Sequence, residues 1–160
     1  MEKKYKLTDE TIEVEGKALY RIEALKDFCE IKKGDKGGFI ESEDNLSHEG
    51  NAWVYDDACV YDNALVTDDA CVSDNARVYN DARVSDNSWV YDNACVYGAA
   101  CVYDDARVCG NSRVYGTARV TDDACVCGNA RVYDNDWVYD HAFGVWKRSN
   151  KNNGSWQSTK

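Results

Sequence analysis

Histidine is the side chain best suited to act as a general base near neutral pH, and this 160-residue chain holds two, His48 and His141. A base must lie within hydrogen-bond reach of the proton it takes, in a cleft that also holds the acceptor. His48 adjoins Glu49 and reads as half of a capping pair. His141 stands at the last corner of a long repeat, at the opposite end of the repeated region. Eight cysteines are candidate nucleophiles or soft-metal ligands. They lie six or more positions apart except Cys125 and Cys127, a pair that drift of the repeat explains, and no Ser-His-Asp set accompanies them. The expectation is no catalytic residue, no metal site and no cofactor. What remains is a regularly spaced set of Tyr, Trp, Arg and Asp, the groups that make binding surfaces.

Nineteen basic residues against 29 acidic ones leave a net charge of -10, which argues against duplex DNA or an anionic membrane as partner. From Asn51 to Gly144 there are sixteen Asp and six Arg with no Lys or Glu, so the excess charge originates there. The opening MEKKYKLTDE carries no apolar signal segment, and no run is long enough to span a bilayer. The eight cysteines are therefore expected to be free thiols in a reducing cytoplasm. The absence of proline suits an uninterrupted hydrogen-bonded ladder.

The elements that must position these side chains are short and numerous. From Asn51 the chain parses into fifteen hexapeptides ending at Asp140, each close to N/D-A-x-V-Y/S/T-D/G. Valine holds one position throughout, from Val54 and Val60 to Val138, and a small residue sits two before it. Ser88 and Ser112 replace the usual Ala, and Asp136 is the outlier of the last unit. Two inward positions in six fit neither a helical period nor a hairpin alternation. They fit a short strand, a corner and another short strand, with Asp, Asn and Gly at the corners because these residues tolerate left-handed backbone angles.

This pattern resembles that of the hexapeptide-repeat proteins. The resemblance implies an all-β fold, a left-handed parallel β-helix with three faces and one hexapeptide per face, although parallel crossovers in general favour the other hand. The coil then repeats with a period of 18 along the chain. Five repeat coils stacked at ~4.8 Å would rise about 24 Å. Residues 1–50 differ: KYKLTDETIEVEGKALYRIEAL alternates as a hairpin around Glu15-Gly16, and FCEIKKGDKGGFIESEDNL reads as irregular coils, with Ile40 and Leu46 already six apart. The stretches LYRIEALKDF, KKGDKGGFIE and NLSHEGNAWVY resemble the leader found before hexapeptide repeats in uncharacterised proteins of phages, prophages and their bacterial hosts. The division expected is a cap over 1–50, a β-helix over 51–144, and a C-terminal cap and polar tail over 145–160 in which Val145 and Trp146 close the end.

With three hexapeptides per coil, positions i and i+18 stack into columns. Tyr61, Tyr79, Tyr97, Tyr115 and Tyr133 form one, and Cys59, Arg77, Cys95, Arg113 and Arg131 stand beside it. They read either as a self-packed aromatic ladder or as a contact face, for a second copy or another partner. A dimer or trimer is expected. On the preceding face Trp53, Tyr55, Trp89 and Tyr91 could stack on a base or a ring, with Arg107 near for phosphate, or could simply cover a thin core. One corner is uniformly acidic, Asp68, Asp86, Asp104, Asp122 and Asp140, flanked by Asp69, Asp105 and Asp123. It reads as turn chemistry, as a cation site, or as an acidic edge imitating a nucleic-acid backbone. Cys59 and Cys95 lie two coils apart, too far for a bridge, and only Cys109 and Cys127 lie on adjacent coils.

Many hexapeptide-repeat proteins are acyltransferases, so the resemblance raises that activity. The uninterrupted repeats leave no loop to build a cleft, and the histidines are separated. Paired threonine columns of the antifreeze type are missing, since Thr67 and Thr121 are isolated. The reading is a non-catalytic binding scaffold of phage or prophage origin, acting in the bacterial cytoplasm on a host defence protein through its acidic edge or aromatic face. The alternatives are a sponge that holds a small nucleotide signal between subunits, and an acyltransferase-like enzyme.

Overall fold

Every sixth residue from Asp56 to Asp134 has a positive φ, and this periodic reversal of backbone hand turns the chain into a three-sided coil. The computed structural model describes residues 2–139, together with the two-residue strands Trp146–Lys147 and Gln157–Ser158, which pair antiparallel. Within the repeats each unit contributes a two-residue strand. Strands inside each sheet pair in parallel with their counterparts one coil before and one coil after, and end strands with one of these, as in Trp53↔Cys71 and Val54↔Val72. The result is an all-β parallel solenoid of about six turns with a period of 18 along the chain, of the left-handed β-helix type expected from the repeat.

Three sheets result. One contains the strands beginning at Trp53, Cys71, Trp89, Arg107 and Cys125, and a second those beginning at Leu65, Arg83, Cys101, Arg119 and Trp137. The third runs on into the N-terminal segment through β1 (Tyr5–Val14), β2 (Lys17–Ala24) and β3 (Lys36–Ile40), making eight strands. The hairpin expected around Glu15-Gly16 is β1–β2, with both turn residues at positive φ. β3 pairs in parallel with the first strand of its sheet, Phe39↔Cys59 and Ile40↔Val60, and Leu46 bridges Val66. Partners in this first turn thus stack at a spacing of 20 rather than 18, because the corner between Leu46 and Ala52 is longer. Gly37 and Gly38 allow the approach: a Cβ on either would fall 2.5 Å from the Val54 carbonyl oxygen or 2.6 Å from that of Ala58. Arg21 fastens hairpin to coil. It pairs with Glu10 (2.8 Å) and Asp57 (3.2 Å), donates to the Gly37 carbonyl and lies over the Phe39 ring.

The core is the expected file of buried Val and Ala, stacked coil upon coil. Ser88 occupies an Ala position and donates to the Ser85 and Val102 carbonyls. Asp136 takes the same inward position in the last repeat and is buried.

The corners use two bonds. The amide two positions beyond the positive-φ residue donates back across the turn, as Ala58 N does to Tyr55 O (3.1 Å). The positive-φ side chain points along the stacking axis and accepts the amide of its counterpart in the next coil. Asp68 Oδ2 takes Asp86 N (3.2 Å), Asp86 takes Asp104 N (3.1 Å), and Asp104 takes Asp122 N (3.3 Å). Asp56, Asp62, Asp74, Asn80 and Asp92 do the same at the other corners. At Gly98, Gly110 and Gly116 an added Cβ would lie 2.7–2.9 Å from that amide nitrogen. The position therefore suits a glycine or a side chain that ends in an acceptor. Replacing Asp86 with Ala should cost about 2 kcal/mol, combining the left-handed conformation with a lost bond. Asp86→Asn should be nearly silent and Asp86→Gly intermediate. Urea unfolding of the three variants checks this order, and equal losses for Asn and Ala would refute the capping role.

Candidate functional site

The tyrosine column is formed as the sequence predicts. Tyr61, Tyr79, Tyr97, Tyr115 and Tyr133 stack ring on ring with centroids 5.0, 5.0, 5.0 and 5.5 Å apart and planes within 13° of parallel. The spacing follows from the strand repeat, since identical residues at identical register hold identical rotamers. Tyr61 differs from the rest in being fully buried. It packs with Val14, Leu19, Phe39 and Cys59 beneath the hairpin, and its hydroxyl meets Glu15 at 3.2 Å. Burial pushes its phenol well above the ordinary tyrosine range and, to a lesser degree, that of Tyr79 as well. The accessible ladder is thus Tyr79 to Tyr133, half-buried, with Arg77, Arg113 and Arg131 exposed beside it. Cys59 and Cys95 complete the flanking column, each with its thiol pushed up by burial.

On the neighbouring face the predicted residues divide. Trp53 is closed to solvent, edge-on to Phe28 (5.3 Å) and Tyr5 (6.2 Å), and belongs to the core under the cap. Its expected role as a stacking platform is corrected by that burial. Trp89 is 42 % exposed, tilted against Tyr91 at 5.3 Å, and has the Arg107 guanidinium 5.9 Å from its ring. Its indole N–H donates to Ser73. Trp89, Tyr91 and Arg107 form a small amphipathic patch. The third face, outside the predicted columns, carries Arg83 and Arg119, with Trp137 49 % exposed and edge-on to Tyr139. Its mixed column gave no repeated signal to find it by.

The acidic corner brings Asp86, Asp104 and Asp122 together with Asp105 and Asp123 around an open, shallow depression that Asn87 and Tyr139 also line. Asp68 and Asp69 continue the line one coil lower, and Asp69 accepts from the Asn51 amide. Asp140 and His141 lie outside the described residues, as does Val145. One oxygen of each of Asp68, Asp86 and Asp104 is engaged by an amide, so turn chemistry accounts for these three.

His48 does not pair with Glu49. Its Nδ1 accepts the Lys4 amide (3.0 Å), which leaves the hydrogen on Nε2 for Glu43 (2.8 Å), and its ring stacks on Tyr5 at 4.2 Å. The bond from His48 holds the Glu43 carboxyl below its ordinary value. Lys4 is buried beside it, donating to the Ala52 (2.7 Å) and Gly50 (3.3 Å) carbonyls, and desolvation brings its pKa down from 10.5 to about 8. These residues seal the lower end of the solenoid, and both ring nitrogens of His48 are committed to that task.

The expectation of free thiols throughout is corrected at one place. Cys109 and Cys127 form a disulfide between adjacent coils, Cα atoms 4.7 Å apart, because parallel in-register stacking brings outward residues of neighbouring coils within bridging distance. The Cys125 sulfur lies 3.2 Å from that of Cys127. The other cysteines are free.

Residues 70–86 and 76–92 match the family model described as YdcK Beta solenoid repeat. The match lies within the repeats and bears on the fold. Among curated proteins none matches the chain. No helix among the described residues is long and apolar enough to cross a membrane.

Folded Lys4 loses its proton near pH 8, whereas in the unfolded chain it keeps it to about 10.5. Between these values the unfolded state binds more protons, so Lys4 makes stability rise with pH, and its burial is costly below pH 8. The urea midpoint of the wild type minus that of Lys4→Met should therefore increase from about pH 7.5 to about pH 10. A difference that stays flat over that range would show that Lys4 does not titrate on unfolding.

Proposed function

We propose that the chain is a non-catalytic binding scaffold that docks a partner protein on the tyrosine–arginine face. The observation that carries this reading is the ladder Tyr79, Tyr97, Tyr115 and Tyr133, stacked at 5.0–5.5 Å with exposed Arg77, Arg113 and Arg131 alongside. Stacked rings lose little further freedom on binding, and Tyr and Arg are the residues that most often dominate interfaces. The face is flat, which suits a protein surface better than a small substrate. The resemblance of the leader to phage and prophage proteins directs the choice of partner to a host defence protein in the bacterial cytoplasm. Self-association into a dimer or trimer through the same face is compatible with it. The engagement of both His48 nitrogens supports a scaffold over an acyltransferase.

A second reading rests on Trp89, Tyr91 and Arg107. An exposed indole with a guanidinium 5.9 Å away could hold a nucleotide by stacking and phosphate pairing. The acidic edge is the weaker docking surface, because Asp68, Asp86 and Asp104 each already cap an amide of the next coil.

The test begins with light scattering and heat release of any bound small molecule from the purified chain. Partner capture is then compared between the wild type, Tyr97→Ala with Arg113→Ala, and Asp86→Asn with Asp104→Asn and Asp122→Asn. The Tyr/Arg change should weaken binding by ~2 kcal/mol or more, roughly 30-fold, and the Asp change should leave it intact. The opposite result would assign docking to the acidic edge. Release of a nucleotide, with loss of it in Trp89→Ala, would favour the second reading.

A further inference from the structure

On the tryptophan-bearing face three cysteine sulfurs converge. Cys109, Cys125 and Cys127 lie with their Sγ atoms all within 4.8 Å of one another. Two features of the fold produce this. Cys125 and Cys127 are two apart along the chain and point to the same side. Cys109 is the counterpart of Cys127 one coil below, with Cα atoms 4.7 Å apart. Cys109 is buried, while Cys125 and Cys127 are partly accessible, so the cluster is sheltered on one side and reachable from the other. Arg107 is the register partner of Cys125 one coil below, and its guanidinium lies 5.9 Å from the Trp89 ring.

In the structure the cluster is oxidised, with Cys109 bridged to Cys127 and the Cys125 sulfur 3.2 Å from Cys127. A dithiol or phosphine reductant supplies two electrons and, with two protons, opens the bridge to two thiols. The three sulfurs then face one point. A tetrahedral zinc ion holds its sulfurs ~2.3 Å from the metal and so about 3.8 Å from one another, a spacing these side chains reach by rotation on a fixed backbone. We propose that the reduced Cys109–Cys125–Cys127 cluster is a binding site for a thiophilic divalent cation of the zinc class. Binding displaces three thiol protons and forms three metal–sulfur bonds, leaving a fourth coordination position toward solvent. The complex carries a net charge of about -1 by the count of three thiolates on a divalent ion. The same sulfurs then have two exclusive states, bridged or metal-loaded.

Neither the spacing of Cys109 and Cys127 nor the lone Cys125/Cys127 pair resembles a chain-local zinc motif, because one ligand arrives from the neighbouring coil. The test uses the full chain, reduced with a phosphine, and cadmium(II) as the probe. One ion per chain should bind, with cysteinate-to-cadmium charge-transfer absorption. Alkylation followed by peptide mass spectrometry should find Cys109, Cys125 and Cys127 protected and Cys29 and Cys101 labelled. Cys125→Ser should weaken cadmium binding at least about tenfold, whereas Cys101→Ser should leave it unchanged. Protection of other cysteines, equal affinity in Cys125→Ser, or no charge-transfer band would overturn the assignment. The protection map is read on the wild type, so it holds even where a serine variant fails to fold. It does not depend on the docking face.

Discussion

The structure depends on one constraint: every sixth residue must adopt a left-handed backbone while its side chain faces the amide of the coil above. Aspartate and asparagine satisfy it by accepting that amide, and glycine by having nothing to place there. The inter-coil main-chain bonds, such as Tyr55 N to Val72 O and Asp57 N to Asp74 O, complete the ladder. Valine and alanine fill the interior of the repeats, stacked coil upon coil. The acidic charge of the repeats is thus largely a by-product of corner chemistry, in which a carboxylate is tolerated because it caps a donor.

With corners and core set, variety is left to the outward positions of each repeat. In-register stacking then turns a local substitution into a vertical relationship. A repeated Tyr becomes a rigid stack, interspersed Cys and Arg become a charged margin, and a chance meeting of three cysteines becomes a cluster. Chemical variety in such a solenoid lies in columns, which is why the tyrosine–arginine face and the sulfur cluster are the features with chemical content.

The lower end shows how an open ladder is closed. The hairpin lies across the first coils, Arg21 and the glycine pair Gly37-Gly38 bring β3 onto the sheet, and Lys4, Tyr5 and His48 plug the axis. A buried lysine is an expensive plug unless its donors meet carbonyls, which Gly50 and Ala52 supply. Titratable groups that would elsewhere suggest catalysis are here consumed by capping.

The hexapeptide period determined the inward Val and Ala and the corner residues, because each depends on local geometry repeated without interruption. The hairpin was legible from its alternation for the same reason. The coil length and the tyrosine column followed once the resemblance to hexapeptide-repeat proteins supplied three faces per coil. Tertiary structure decided what depends on the meeting of distant segments. It buried Trp53 and Tyr61 under the hairpin, which no column could reveal, and it assigned His48 to Glu43 rather than Glu49. It also joined Cys109 to Cys127 and set Cys125 against them. Stacking predicts that such residues are neighbours; only the packed side chains decide which neighbour each one bonds.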